Sequence, residues 1–295
     1  MKQASFIQNC MIRNPIQRSV SVCLKLFLVF LIISTGCKKT PPAGSVAPYQ
    51  EEYSLAYGSD SLQRFDLFLP EGHDQHTRVI LLIHGGGWIS GDKRDCDYYA
   101  MRFSAYGLAA ISMNYRLAND SVHCPEMLAD IDSMISCIAK NTVQWGIAGD
   151  QISLFGYSAG GHLALLYSYS MDKNRKIKSV ISLAGIADVQ DSLLWNNPKM
   201  YHDIKLMAGD TIPGNWTLVN PVSFVSATNP PTMLIHGTND SLVPASQSIK
   251  LYEIKKALNN PVRLMLLEHE THTFSAEAIA AFLIETRSFL DKSNY

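Results

Sequence analysis

Residues 151–166 read Gln-Ile-Ser-Leu-Phe-Gly-Tyr-Ser-Ala-Gly-Gly-His-Leu-Ala-Leu-Leu. The short apolar run ending at Phe155 predicts a strand, and the nearly all-apolar stretch around Leu163–Leu166 predicts a buried helix. Between them stands Gly156-Tyr157-Ser158-Ala159-Gly160, so the chain must reverse within a few residues. Glycine suits positions 156 and 160 because a Cβ at either would run into the neighbouring strand and helix. Such a turn lifts the Ser158 hydroxyl above a sheet edge, beside a helix N-terminus whose dipole favours a developing anion. The five-residue pattern alone is common. Its place between strand and helix is what marks Ser158 as a candidate nucleophile.

The same alternation extends in both directions. Further strand-like runs lie at Glu52–Tyr57, Arg64–Leu69, Val79–Ile83 and Leu108–Met113, then at Ser179–Leu183, Thr232–His236 and Arg263–Leu267. The later runs are short and apolar without alternation, as expected where helices cover both faces of a parallel sheet. Met127, Leu128, Ile131, Met134, Ile135 and Ile138 recur at three and four residues, giving one apolar face over 126–140. Ile279, Phe282, Leu283, Phe289 and Leu290 mark a closing helix, with Thr286 the exception on its apolar face. The pattern predicts an α/β fold with a mostly parallel sheet of about eight strands. One stretch breaks the rhythm. Residues 187–230 carry four Pro and no clear strand, and so long an excursion predicts a short lid-like or binding insertion. Trp195, Tyr201 and Trp216 within it either stack on a sugar or aromatic acyl group or pack the loop.

Three more strand ends carry residues able to do chemistry. His84-Gly85-Gly86-Gly87-Trp88 follows the third strand, and consecutive glycines let backbone N–H groups converge unobstructed. Gly86 and Gly87, with the N–H of Ala159, are the candidate oxyanion donors. A phosphate-binding loop is the rival, but neither of its usual glycine spacings is present. His84 is expected to be structural. Trp88 is a candidate wall of the acyl pocket, with plain packing as the other reading. His236-Gly237-Thr238-Asn239-Asp240 follows another strand, so the Asp240 carboxylate can reach the sheet edge that holds Ser158. Asp188 is the alternative acid, with a loop cap as its other role, and His236 is expected to be structural. After the last strand comes Glu268-His269-Glu270-Thr271-His272, where His272, nearer the closing helix, is favoured over His269 as base. The two histidines are three apart, whereas a helical zinc pair needs four.

Composition bounds these readings. The chain has 295 residues, 47% hydrophobic and 17% charged, with a formal net charge of -1. That is ample for one folded domain without a metal or disulfide scaffold, and there is no cationic excess to attract nucleic acid. Residues 1–50 hold no Asp or Glu. Lys2, Arg13, Arg18 and Lys25 precede an unbroken apolar run, Leu26–Ile33, too short to span a membrane but suited to a signal peptide. Ser34-Thr35-Gly36-Cys37 follows and resembles a bacterial lipoprotein cleavage box, although Ser34 stands where Leu is usual. The resemblance implies lipidation of Cys37 and a membrane-anchored protein of the bacterial cell envelope. The expected organisation is a signal peptide at 1–37, a flexible tether at 38–50 and a catalytic domain at 51–295. Removing residues 1–37 leaves 21 basic against 26 acidic residues, a charge of -5. Cys96, Cys124 and Cys137 then remain, and three buried thiols are favoured over one disulfide plus a free thiol.

Together the motifs resemble the α/β-hydrolase fold of the esterase/lipase superfamily, over about residues 50–292. Phe65-Asp66-Leu67-Phe68-Leu69-Pro70, Asn114-Tyr115-Arg116-Leu117 and Pro125 followed by Asp130 add to the likeness. His84-Gly-Gly-Gly-Trp88 followed by Ser90-Gly91 is most similar to the branch with bacterial feruloyl and acetyl-xylan esterases. The resemblance implies Ser158 as nucleophile, His272 as base and then acid, and Asp240 holding the imidazole tautomer, with no cofactor. It implies a small-molecule or glycan ester as substrate, acetyl or feruloyl esters among them. A serine peptidase or a formamidase on the same fold is the nearest alternative. A non-catalytic glycan-binding lipoprotein is the alternative from another class.

Overall fold

The computed structural model describes residues 46–292. The targeting segment, Cys37 and most of the tether lie outside the described residues. Eight strands form one sheet: β1 Gln50–Ala56, β2 Arg64–Leu69, β3 Val79–Ile83, β4 Ala109–Met113, β5 Ile152–Tyr157, β6 Ile177–Leu183, β7 Thr232–Gly237 and β8 Val262–Leu267. Their order is β1-β2-β4-β3-β5-β6-β7-β8. β1 and β2 pair antiparallel, as do β2 and β4, and every pairing from β4 onward is parallel. Seven helices accompany them among the described residues: α1 Asp97–Ala105, α2 Cys124–Trp145, α3 Ala159–Leu166, α4 Ser192–Trp195, α5 Pro198–Ala208, α6 Ser246–Ala257 and α7 Ala276–Lys292.

The two-residue period of the strands sorts the core onto the two faces of the sheet. On β3, Val79, Leu81 and Ile83 join one buried cluster with Met127, Ile131 and Ile138 of α2 and Leu163 of α3. Ile80 and Leu82 join the other, with Phe103 of α1 and Phe282 and Leu290 of α7. Each such side chain contributes about 1.5–3 kcal/mol on full burial. Thr286 lies on the buried face of α7 and satisfies its hydroxyl by donating to Met233 Sδ at 3.9 Å. Cys96 and Cys124 are buried free thiols, and Cys137 is a half-buried one.

Two ion pairs on buried carboxylates brace the antiparallel side of the sheet. Asp66 on β2 accepts from Lys93 Nζ at 2.7 Å and from the Ser54 amide at 2.6 Å. The Ser54 amide turns to Asp66 at the bulge in β1, where φ is 55°. Arg116 forms several hydrogen bonds with the Asp130 carboxylate, tying the exit of β4 to α2. The 187–230 excursion is not a bare loop. It holds α4, α5 and 3-10 turns at Pro213–Val219 and Pro221–Phe224.

Candidate active site

Parallel strands bring their carboxyl ends to one edge, and the loops after β3, β5, β7 and β8 meet there. Ser158 stands between β5 and α3 with φ 54° and ψ -119°, a strained conformation for a residue with a Cβ. Bonds on both sides hold it: its N–H donates to Leu183 O at 2.8 Å and its carbonyl accepts from the His162 amide. A Cβ on Gly160 would stand 2.1 Å from Ile83 O, and one on Gly156 would stand 2.2 Å from Gly160 O. The elbow therefore closes only with glycine at both positions.

His272 follows β8. Its Nε2 lies 3.0 Å from Ser158 Oγ, and its Nδ1 lies 2.7 Å from Asp240 Oδ2. The Asp240 side chain is fully buried. Its Oδ1 accepts from the amides of Leu242 and Val243, both at 2.9 Å. Burial would raise the Asp240 carboxyl, but hydrogen bonds from His236, His272 and the Val243 amide override it and hold the group well below the usual carboxylate range. An ionised carboxylate only accepts, so His272 Nδ1 carries the proton and Nε2 presents its lone pair to the Ser158 hydroxyl. His236 supports the acid from behind, with Nε2 3.4 Å from Asp240 Oδ2 and 2.8 Å from Val243 O. Tyr157 is a supporting residue that the sequence pattern does not single out. Its hydroxyl donates to His272 O at 2.8 Å, and its ring lies along the imidazole at 5.3 Å and 29°.

The glycine loop after β3 folds back on itself. Gly86 O accepts from the Ile89 and Ser90 amides and from Ser90 Oγ. Gly86 has φ 107°, and a Cβ there would sit 2.1 Å from Ser90 O. Among the described residues, neither the Gly86 nor the Gly87 N–H has an acceptor. The Ala159 N–H belongs to the first turn of α3, where amides lack a partner within the helix. Gly86, Gly87, Ser158, Ala159 and His272 border one cavity of about 310 Å3, together with Met200 and Asp203 of the insertion.

One expectation changes. Trp88 does not line this cavity, which corrects the reading of it as an acyl-pocket wall. With φ at 65° it is fully buried, its Nε1–H donates to His162 Nδ1 at 3.2 Å, and the two rings meet edge to face. His162 is suited to accept that bond, because burial lowers it to about 4 and its Nε2–H is committed to Val219 O. Asp188 is a capping residue bonded to Lys250, Asn220 and the Gln190 amide. Trp195, Tyr201 and Trp216 meet edge to face or tilted, with ring centres 5.9–6.0 Å apart, packing the insertion onto itself. His84 stacks on Tyr115 at 4.4 Å, a structural place. His269 is exposed in the β8–α7 loop.

This topology, with a hydroxyl, an acid and a base after β5, β7 and β8, is that of the α/β-hydrolases. Within that class the chain belongs to the BD-FAE family, whose sequence profile matches residues 65–254. The match covers Ser158 and Asp240 and ends before His272. An isoprenylcysteine α-carbonyl methylesterase of Arabidopsis thaliana is 26% identical over 243 residues, covering 76% of this chain and 57% of that protein. Esterase LipC of Mycobacterium tuberculosis is 24% identical over 279 residues, covering 83% and 68%. The chain thus spans little more than half the length of the first of these. A truncated carbohydrate esterase from gut microbiota superposes with a TM-score of 0.69 at 18% identity, over 84% of this chain and 99% of that one.

Proposed function

We propose that the protein is a serine carboxylic-ester hydrolase. The observation that carries this reading is the unbroken line Ser158 Oγ, His272 Nε2, His272 Nδ1, Asp240 Oδ2, at 3.0 and 2.7 Å. His272 takes the Ser158 proton as the oxygen attacks the ester carbonyl, and Asp240 stabilises the resulting imidazolium. The amides of Gly86, Gly87 and Ala159 receive the negative oxygen. Alcohol departs with the proton from His272, and water, activated by the same imidazole, resolves the acyl-enzyme. No step needs a cofactor. A cavity of about 310 Å3 is at the small end for ligand sites and suits a short acyl group. Together with the carbohydrate esterase among the structural neighbours, it favours short-chain or carbohydrate-linked esters, acetyl ahead of feruloyl. Cys37 as a lipidation site would hold the enzyme at the bacterial cell envelope; loss of lipid labelling in Cys37→Ala tests that.

The deciding experiment is hydrolysis of p-nitrophenyl acetate with and without Ser158→Ala, alongside labelling by a fluorophosphonate probe. Wild type is expected to turn over and label, and the variant to do neither while keeping its fold. An unchanged rate in the variant overturns the reading. Comparing acetylated xylan with tributyrin then separates carbohydrate from lipid esters.

A further inference from the structure

The steps above leave two charged groups bordering the cavity, Lys199 and Asp203, without a task. Asp203 on α5 borders the cavity over Ser158 and is 3% exposed. A Cβ built on Gly87 would stand 2.9 Å from its Oδ2, so the carboxylate abuts the oxyanion loop. Lys199 Nζ, one helical turn earlier, reaches the same oxygen at 2.5 Å, and His202 Nδ1 lies 3.5 Å from Oδ1. No backbone amide outside the helix satisfies this carboxylate among the described residues, unlike that of Asp240. Packing does not require it either, since α5 is seated by Met200, Ile204 and Met207. A carboxylate beside amides meant for a developing anion opposes that charge, and Lys199 offsets it. A nearly buried carboxylate that borders the cavity, and that neither the core nor a backbone amide requires, is placed to meet a ligand.

The charge balance of the pair selects the ligand. A cation would have to displace Lys199, and an anion would face Asp203. A neutral compound with adjacent hydroxyls satisfies both, giving its protons to the carboxylate and its lone pairs to the ammonium. The rest of the rim adds donors. Asn197 Oδ1 is spent on the Lys199 and Met200 amides, which leaves its NH2 free. Ser90 Oγ donates to Gly86 O and keeps its lone pairs. We infer that Lys199 and Asp203 form a polyol subsite that binds the hydroxyls of a neutral sugar-like part of the substrate. The inference rests on the ester-hydrolase reading only in treating the bound compound as substrate.

Calorimetric binding of an acetylated methyl xylopyranoside to Ser158→Ala protein, with and without Asp203→Asn, tests the subsite apart from turnover. Asp203→Asn is expected to weaken Kd at least tenfold. In the active enzyme it is expected to lower the kcat/KM preference for the sugar acetate over butyl acetate by about 10–100-fold, mainly through KM. Lys199→Met, at an exposed position, is expected to weaken binding at least threefold, and it decides the matter should Asp203→Asn lose its near-UV circular dichroism. Equal Kd values, no binding to the Ser158→Ala protein, or parallel loss on both acetates overturns the subsite. Failure of the wild type to hydrolyse butyl acetate or to label at Ser158 strikes the hydrolase reading instead, and the binding result still stands on its own.

Discussion

Tyr157 joins two parts of the site. Its backbone leads directly into Ser158, and its hydroxyl holds the carbonyl of His272. Tyr157→Phe keeps the stacked ring and removes only that bond. The expected result is a loss of about 1 kcal/mol in stability and a lower kcat with KM little changed, read from p-nitrophenyl acetate kinetics and urea midpoints. Asp240→Asn acts on the tautomer: an amide lets the His272 proton shift to Nε2, where it no longer accepts from Ser158. A drop in kcat of about 10⁴ is expected, with the fold retained. The depressed carboxyl also sets a sign. Its contribution to stability is complete above the unfolded value near 3.9 and is lost only in stronger acid, as pH falls through the folded value.

Among the elements, α6 carries a buried cation. Lys255 is fully buried, with Nζ 3.2 Å from Pro230 O and 4.8 Å above the Tyr169 ring, and burial lowers it to about 7. A lysine with a lowered folded value costs stability at low pH, and the cost fades as pH rises from about 7 towards 10.5. Lys255→Met is therefore expected to be more stable than wild type by about 1–3 kcal/mol at pH 7. The gap should narrow by about 1.4 kcal/mol per pH unit above that. Urea unfolding at pH 7 and 9 checks both. The elements themselves are legible in the sequence where apolar runs end in turn residues: all eight strands fall within two residues of their expected bounds. The β1 bulge is not, because it depends on a carboxylate from another strand. Nor is α5, whose apolar face finds its partner only after the sheet has formed. In the site, chain order picks out Ser158, Asp240 and His272, since each follows a strand. The direction of Trp88 escapes the sequence because a positive φ in a glycine loop decides it, and Asp203 escapes it because α5 brings it to Gly87 from more than a hundred residues away.

Over the whole molecule, Ser158 stands after β5, inside the sheet, whereas His272 stands after β8, the terminal strand with one neighbour. β8 is only half-buried along most of its length. Regions with few buried contacts open before the rest. The four tryptophans all lie before residue 217, outside β8 and the loop that carries His272, and Trp88, Trp145 and Trp216 are buried. In a urea titration, catalysis is expected to fade at a lower concentration than tryptophan emission, with the fluorophosphonate label lost alongside it. Coincident midpoints would show that the flank is as firm as the centre. With that order of loss, inactivation would be a peripheral event: the imidazole would peel off an otherwise intact protein, and refastening one edge would suffice for recovery.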